Sequence, residues 1–300
     1  MRRTLLPLLL LAACQPDSLD GVITLDDPSL LPTDESPPPL SAGYLELGVN
    51  ALDIGEAVNL RARGAYPGDV VQFFRGAGHG AGPCITPSLC HEILSPVPLG
   101  TATANAQGIA TYTFTMPSAP IGATGAFEAM VPTGNVASSS AEVRNVRAGG
   151  STGPYRIGNW HPQLASGSIS PNAMIFQTVE VTETVNVVGF SFRATTAGGN
   201  FKAALYSDSG GQPGTLIAQS AATPVVIGNA NASATSSPSL APGRYWIAAT
   251  FSTDVFTNHN TLQSEPEYII LQPFGSAFPT TYSGGSFYVS VGIAVSLGVR

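Results

Sequence analysis

Four residues in one short stretch carry the clearest metal-ligand or redox chemistry of this chain. His79, Cys84, Cys90 and His91 read His-x4-Cys-x5-Cys-His. Thiolates and imidazoles are what a tetrahedral zinc site uses, but the spacing matches no usual finger or ribbon, and adjacent Cys90 and His91 crowd a single site. The competing chemistry is a disulfide closing Cys84-Ile-Thr-Pro-Ser-Leu-Cys90. Just before it, Gly76-Ala77-Gly78-His79-Gly80-Ala81-Gly82 leads into Pro83 and strand-like sequence. No helix N-terminus would face an anion there, so the run reads as a flexible loop. Glu265 and Glu267, in Ser-Glu-Pro-Glu-Tyr, share one face of an extended chain. Glycosidase carboxylates oppose each other across a bond, so these two read as a solvated strand start. Asp208, in Asp-Ser-Gly-Gly, is a candidate ligand for a structural calcium, although calcium takes several oxygens and only one acid is local. No other cofactor is implied. The chain contains no Gly-x-Ser-x-Gly elbow, P-loop or His-Glu-x-x-His.

Aromatic rings are the remaining handle. Trp160 sits in the polar, turn-like run Gly158-Asn159-Trp160-His161-Pro162-Gln163. A flat indole suits the apolar face of a sugar, with Asn159, His161 and Gln163 for its hydroxyls. The same ring equally suits a lid over the end of a core. Tyr155 and Trp246 are candidate companions for polysaccharide contact. Trp246 alternates with Tyr245 on a strand-like run, so one of the two faces inward and the other outward.

The N-terminus points to a compartment. Arg2 and Arg3 precede the apolar run Leu5 to Leu11, followed by Ala12, Ala13 and Cys14. That is the order of a secretory signal, and its apolar run is shorter than the roughly 20 residues a spanning helix needs. Leu11-Ala12-Ala13-Cys14 resembles the bacterial lipoprotein signal, the lipobox. The resemblance implies removal of residues 1–13, lipidation of Cys14 and attachment to a lipid bilayer. Gln15, rather than Asp, after the cysteine implies the outer membrane, facing the periplasm or the cell surface. With Cys14 given to lipid, an even pair of cysteines remains in an oxidising compartment, which favours a Cys84–Cys90 disulfide over zinc.

Composition excludes some partners. The 300 residues hold 12 Lys and Arg against 19 Asp and Glu, a net charge of -7, and charged residues are only 10% of the chain. Nucleic-acid binding needs clustered basic residues, as does polybasic attachment to anionic lipid; neither is present. Residues 14–43 carry Asp17, Asp20, Asp26, Asp27, Asp34 and Glu35 among prolines, with no Lys or Arg. Such a segment buries too little apolar surface to offset its ordering entropy and reads as a disordered tether.

The elements that must position these residues read as strands throughout. In 57–63, Val58, Leu60 and Ala62 alternate with Asn59, Arg61 and Arg63; in 109–116, Ala110, Tyr112 and Phe114 alternate with threonines. About seven such runs between turns make 44–147 an Ig-like β-sandwich domain. Its Pro67-Gly68-Asp69, Gly-rich Cys loop and PVPLGTATA order resembles the Ig-like repeats of bacterial surface lipoproteins and adhesins. Residues 148–154 (AGGSTGP) are a linker by composition. Residues 155–300 read as a second, jelly-roll-like β-sandwich of eight or nine strands. Its runs FKAALYSDSGGQPGTLIA and LAPGRYWIA resemble a β-sandwich module of secreted bacterial proteins, often found beside carbohydrate-active or adhesive domains. The expectation is an all-β, lipid-anchored, non-enzymatic cell-surface protein that adheres to a surface protein or binds polysaccharide through its second sandwich. A glycan hydrolase or lyase on a jelly roll, and a structural spacer or envelope-assembly lipoprotein, are the rival readings.

Overall fold

The computed structural model describes residues 44–87, 89–133, 137–139, 141–158, 165–259, 265–282, 284–290 and 294–300. Among these every regular element is a strand. Strands from 44–147 pair only with one another, as do those from 155 onward, so the chain builds two modules. Cys14, Asn159, Trp160 and His161 lie outside the described residues.

In the first module a nine-stranded sheet folds over its own core. The strand Tyr44–Val49 makes the turn-over. Tyr44 and Leu45 pair parallel to Ala137–Ser139, and Glu46 to Val49 pair antiparallel to Ala57–Arg63. The alternation read from the sequence is realised in Ala57–Arg63, where Val58, Leu60 and Ala62 are fully buried. They pack with Leu45, Val49, Phe73 and Val131. The Gly-rich segment is not a flexible loop. Ala77 and Gly80 donate backbone hydrogen bonds to Leu94 and Glu92, and Leu94 donates back to Gly78. Extra side chains would obstruct this ribbon: a Cβ at Gly82 would stand 2.3 Å from the Ile93 carbonyl oxygen.

The second module stacks two seven-stranded sheets. Its core is filled by Phe190, Phe192, Phe201, Phe251, Leu205 and Ile247. One strand, Val185–Ala194, departs from simple alternation. Its register against Val295–Val299 shifts between Val187 and Gly189. A bulge there reverses the parity of the strand, so Val185 and Val187 before it and Phe190 and Phe192 after it all reach the same core. On the outer face of the other sheet, Phe176, Tyr206, Trp246 and Tyr268 form a second apolar cluster with Phe278.

The modules dock through buried charge. Glu180 of Ala173–Val181 has no exposed side-chain surface and takes two arginines from Ala57–Arg63: Arg61 Nε at 2.9 Å and Arg63 Nε at 3.0 Å. Beside it, Glu46 Oε1 lies 3.5 Å from Arg244 Nη1, and Arg244 Nε lies 3.2 Å from Asp208. Burial pushes the Glu46 carboxyl above its ordinary pKa, and Arg244 works against that rise. Asn50 donates to Glu183 Oε2 at 3.2 Å. The approach is close enough that a Cβ on Gly48 would lie 2.5 Å from the Glu180 carbonyl oxygen. The linker is held as well: Arg147 grips Asp53 with two hydrogen bonds and donates to the carbonyls of Ser151 and Gly153.

Candidate functional site: the cleft between the modules

Cys84 and Cys90 face each other as a register pair of a small antiparallel ribbon and are joined by a disulfide. Neither is a free thiolate for zinc or for nucleophilic attack. His91 turns inward instead, with Nδ1 2.6 Å from Glu128 Oε2, and its ring meets Phe74 edge-on at 4.6 Å. Glu128 is fully buried and also accepts the Glu92 backbone N–H. Burial raises its pKa to about 8, and burial lowers that of His91. The two shifts together describe a neutral pair, a protonated carboxyl donating to a neutral imidazole.

Two residues expected at ligand sites are used up inside the fold. Trp246 has no exposed surface. Its ring packs edge-on against Tyr268, and its indole N–H donates to Asp208 Oδ1 at 2.9 Å. A sugar has no face of this ring to stack on, so the assignment of Trp246 to ligand contact is corrected; Tyr245, its neighbour, packs against the sandwich core. Asp208, expected to bind calcium, spends Oδ1 on Trp246 and Arg244 and Oδ2 on the Gly211 backbone N–H. Among the described residues no group of three or more His, Cys, Asp or Glu is placed to hold a metal ion. Glu267 is buried rather than at a solvated strand start, paired in register with Gln177.

Tyr155 has a different fate. Its hydroxyl donates to Glu183 Oε1 at 2.7 Å, and the Arg147 guanidinium lies over its ring at 5.2 Å. It is therefore committed to the junction, where it forms part of the wall of a cleft of about 550 Å³. The cleft opens between the modules. Leu52 and Arg144 line it from the first, and Arg156, Val188, Asn231 and Ala232 from the second. The strand bulge at Val188 and Gly189 forms part of this wall, so the irregularity that reverses the strand also shapes the cleft.

Three of the chain's 12 Lys and Arg residues line this one cavity, and no Asp or Glu does among the described residues. They are not equivalent. Arg147 is saturated by Asp53 and the linker carbonyls. Arg144, only 3% exposed, donates through Nε to the Val49 carbonyl and lies 2.6 Å from Glu142 through Nη1. Its Nη2 is buried with no acceptor. Arg156 donates through Nη2 to Asn231 Oδ1 at 2.7 Å, and burial lowers its pKa. Sequence reasoning misses all three. The signal that could have found them is their concentration in 144–156, across the linker, in a chain poor in basic residues.

No family model matches this chain, and no curated protein does. Among solved structures, the clostridial cysteine protease Cwp84 after propeptide cleavage is similar over 84% of this chain and 71% of that one, at 11% identity and a TM-score of 0.37. The cysteine protease and lectin-like domains of Cwp84, a surface layer associated protein of Clostridium difficile, are similar over 84% and 64% at 12% identity and a TM-score of 0.33. A likeness of this size assigns no activity. The expectation of glycan binding through the second sandwich is corrected at its named contacts. Trp246 has no exposed surface, and the Tyr155 hydroxyl is committed to Glu183.

Proposed function

We propose that this chain is an exported ligand-binding protein, held at a membrane through a lipid on Cys14, that takes a small molecule into the cleft between its modules. The observation that supports the binding reading is the cleft itself. Its volume of about 550 Å³ falls within the roughly 300–1,000 Å³ common for small-ligand sites. Its walls come from two modules fixed by the Glu180–Arg61–Arg63 and Glu46–Arg244 contacts, so little ordering cost remains at binding. The mixture of Val188 and the Tyr155 ring with Arg and Asn side chains suits a ligand with an apolar body and a polar end. Ser233→Trp would fill the cavity from an exposed cleft-lining position. A thermal-shift screen of small carboxylates, phosphates, nucleosides and neutral sugars on the full chain should find stabilisers of the wild type that do not stabilise Ser233→Trp. A screen with no such compound would end the reading. The anchor has its own test: Cys14→Ser should abolish lipid labelling and release the protein from the membrane fraction, and wild-type protein that takes no lipid label would refute it.

A further inference from the structure

Resting on the membrane anchor at Cys14, we infer that the end of the second module remote from the first is a membrane-contact surface, seated on the bilayer that holds the anchor. Among the described residues of this module, Val226, Ile227, Phe256 and Leu271 are exposed large apolar side chains, Ile227 at 71% and Leu271 at 69%. All four lie at one end. Segments 170–172, 195–199, 225–227 and 252–254 cross there from one sheet to the other. Register fixes the neighbours. Ala194 pairs with both Gly228 and Thr257, so Ile227 and Phe256 each stand one residue beyond it on the flanking strands. Leu271 pairs with Ala173, the first residue of its strand. The junction with the first module lies at the opposite end of these sheets, at Glu180, Asp208 and Arg244.

The crossings are stitched together. Val225 exchanges backbone hydrogen bonds with Gly198 and Gly199, the Thr195 N–H donates to the Phe256 carbonyl, and the Gln272 N–H donates to that of Asn172. Val225 is buried in the sandwich core, which holds its neighbours Val226 and Ile227 out at the tip. Single exposed apolar residues are ordinary, but four gathered on one end mark a contact surface. Charge selects the occupant. The four crossings and residues 271–274 contain one ionisable residue, Asp254. On the adjoining strand ends, Lys202 is turned onto the Phe274 and Phe278 rings and the Ser276 carbonyl, and Arg193 adjoins Ala194. With no basic cluster there is no preference for anionic lipid. Apolar tips set among neutral Ser, Thr, Asn and Gly suit the boundary between headgroups and acyl chains. Reach agrees. Cys14 precedes Tyr44 by 30 residues, up to about 100 Å of extended chain, against about 30 Å for the nine-residue strand that separates this end from the junction. The anchor makes the second contact intramolecular, so a weak interaction suffices.

The test has two arms. In the first, the full chain carrying Cys14→Ser is sedimented with vesicles of phosphatidylcholine, with and without phosphatidylglycerol. It should bind both compositions alike. Paired Ile227→Asp and Leu271→Asp substitutions should weaken binding about tenfold or more, the scale of one large aliphatic side chain kept from burial, at an unchanged unfolding temperature. Ile227→Trp should strengthen it, because indole favours the membrane interface, a gain that misfolding would not produce. In the second arm, the lipidated chain is reconstituted in phosphatidylcholine vesicles with an environment-sensitive dye on Ala197→Cys or, as a control in the first module, on Gln107→Cys. The dye at 197 should shift to the blue and be quenched by brominated lipid, and the dye at 107 should do neither. A dye at 197 that enters lipid while the unlipidated chain fails to sediment supports a contact that depends on the anchor. Sedimentation indifferent to the Ile227 and Leu271 substitutions would overturn the surface, as would no sedimentation with a dye at 197 that stays in water. Self-association lost in the paired variant, without vesicle binding, would overturn it in favour of a second copy of this chain. If Cys14 takes no lipid, the anchor falls and the first arm alone decides the surface.

Discussion

Glu128 and His91 make a proton-counting argument at the scale of single residues. In the folded chain the pair holds one proton, on a carboxyl whose pKa burial has raised to about 8, beside an imidazole whose pKa burial has lowered. In the unfolded chain the carboxyl titrates at 4.5 and the imidazole at 6.5. Between those two values the unfolded pair also holds one proton, on histidine, so stability is insensitive to pH there. Above 6.5 the unfolded pair has lost its proton and the folded pair has kept it, so stability falls as pH rises until the carboxyl ionises near 8. One proton corresponds to about 1.4 kcal/mol per pH unit, giving a loss of about 2 kcal/mol between pH 6.5 and 8. Below 4.5 the unfolded pair holds the additional proton, and stability falls again towards acid. Glu128→Gln removes the carboxyl from both states and leaves the His91 titration of the unfolded chain in place. Urea unfolding of both proteins from pH 5 to 8.5 should give a wild-type-minus-variant difference that falls by about 1.4 kcal/mol per pH unit, about 4 kcal/mol between pH 5 and 8, and then levels off; a difference that stays flat to 8.5 would contradict the neutral pair. None of this is visible in the sequence, where His91 stands beside Cys90 as a candidate metal ligand and its partner lies 37 residues away in a different strand.

At the scale of elements, what the sequence discloses depends on whether a strand keeps its period. Ala57–Arg63 alternates without interruption, so its pattern alone places Val58, Leu60 and Ala62 in the core. Val185–Ala194 cannot be read this way, because the bulge after Val187 sends both parities inward. Trp246 defeats the pattern for another reason. Both faces of Gly243–Phe251 are covered, one by the sandwich core and one by the Phe278 cluster, so the residue expected to face outward is as buried as its neighbours. The cleft is illegible for the same class of cause: its walls are assembled from the linker, the bulge and a strand of the other module. Gly189 is where these constraints meet. A Cβ there would stand 2.5 Å from the Ala232 carbonyl oxygen, a backbone atom of the paired strand Gly228–Ser233. Gly189→Ala should therefore cost about 1–3 kcal/mol, the range for forcing extra volume into a packed site. Amide exchange should accelerate across 189–194 and 228–233 before it does elsewhere; unchanged exchange there would mean the strands can part without loss. The Cys84–Cys90 bridge acts on a shorter range. It closes a loop with a sequence separation of 6, and chain entropy assigns such a loop about 2 kcal/mol. Paired Cys84→Ala and Cys90→Ala substitutions should lower stability by about that amount and raise exchange around 76–94, leaving the second module as it was.

At the scale of the whole molecule, the question is whether two modules unfold as one. Module interfaces within a chain are often polar and permit relative motion, and a Gly- and Ser-rich connection such as 148–154 would by itself permit it. Here the junction closes instead over Glu180, whose side chain is fully buried against Arg61 and Arg63. Such a group is a poor source of net stability, because its desolvation offsets much of its attraction, yet removing one partner strands the others and costs about 3–5 kcal/mol. The ion pairs thus contribute less to the stability of either sandwich than to the penalty for separating them. Neighbouring contacts act in the same direction: Gly48 lets the strands approach, Asn50 and Tyr155 share the two oxygens of Glu183, and Arg147 fastens the linker. The wild-type chain should give one calorimetric unfolding transition, with van't Hoff and calorimetric enthalpies in agreement. Glu180→Ala leaves both sandwich cores untouched and exposes Arg61 and Arg63 to an unpaired interface, so it should divide that transition into two. Replacing all three residues in Glu180→Leu, Arg61→Met and Arg63→Met removes the charges together and should recover much of the single transition, since no stranded group remains. Two transitions in the wild type would show that the modules are uncoupled, and one transition in Glu180→Ala would move the coupling from the ion pairs to the linker.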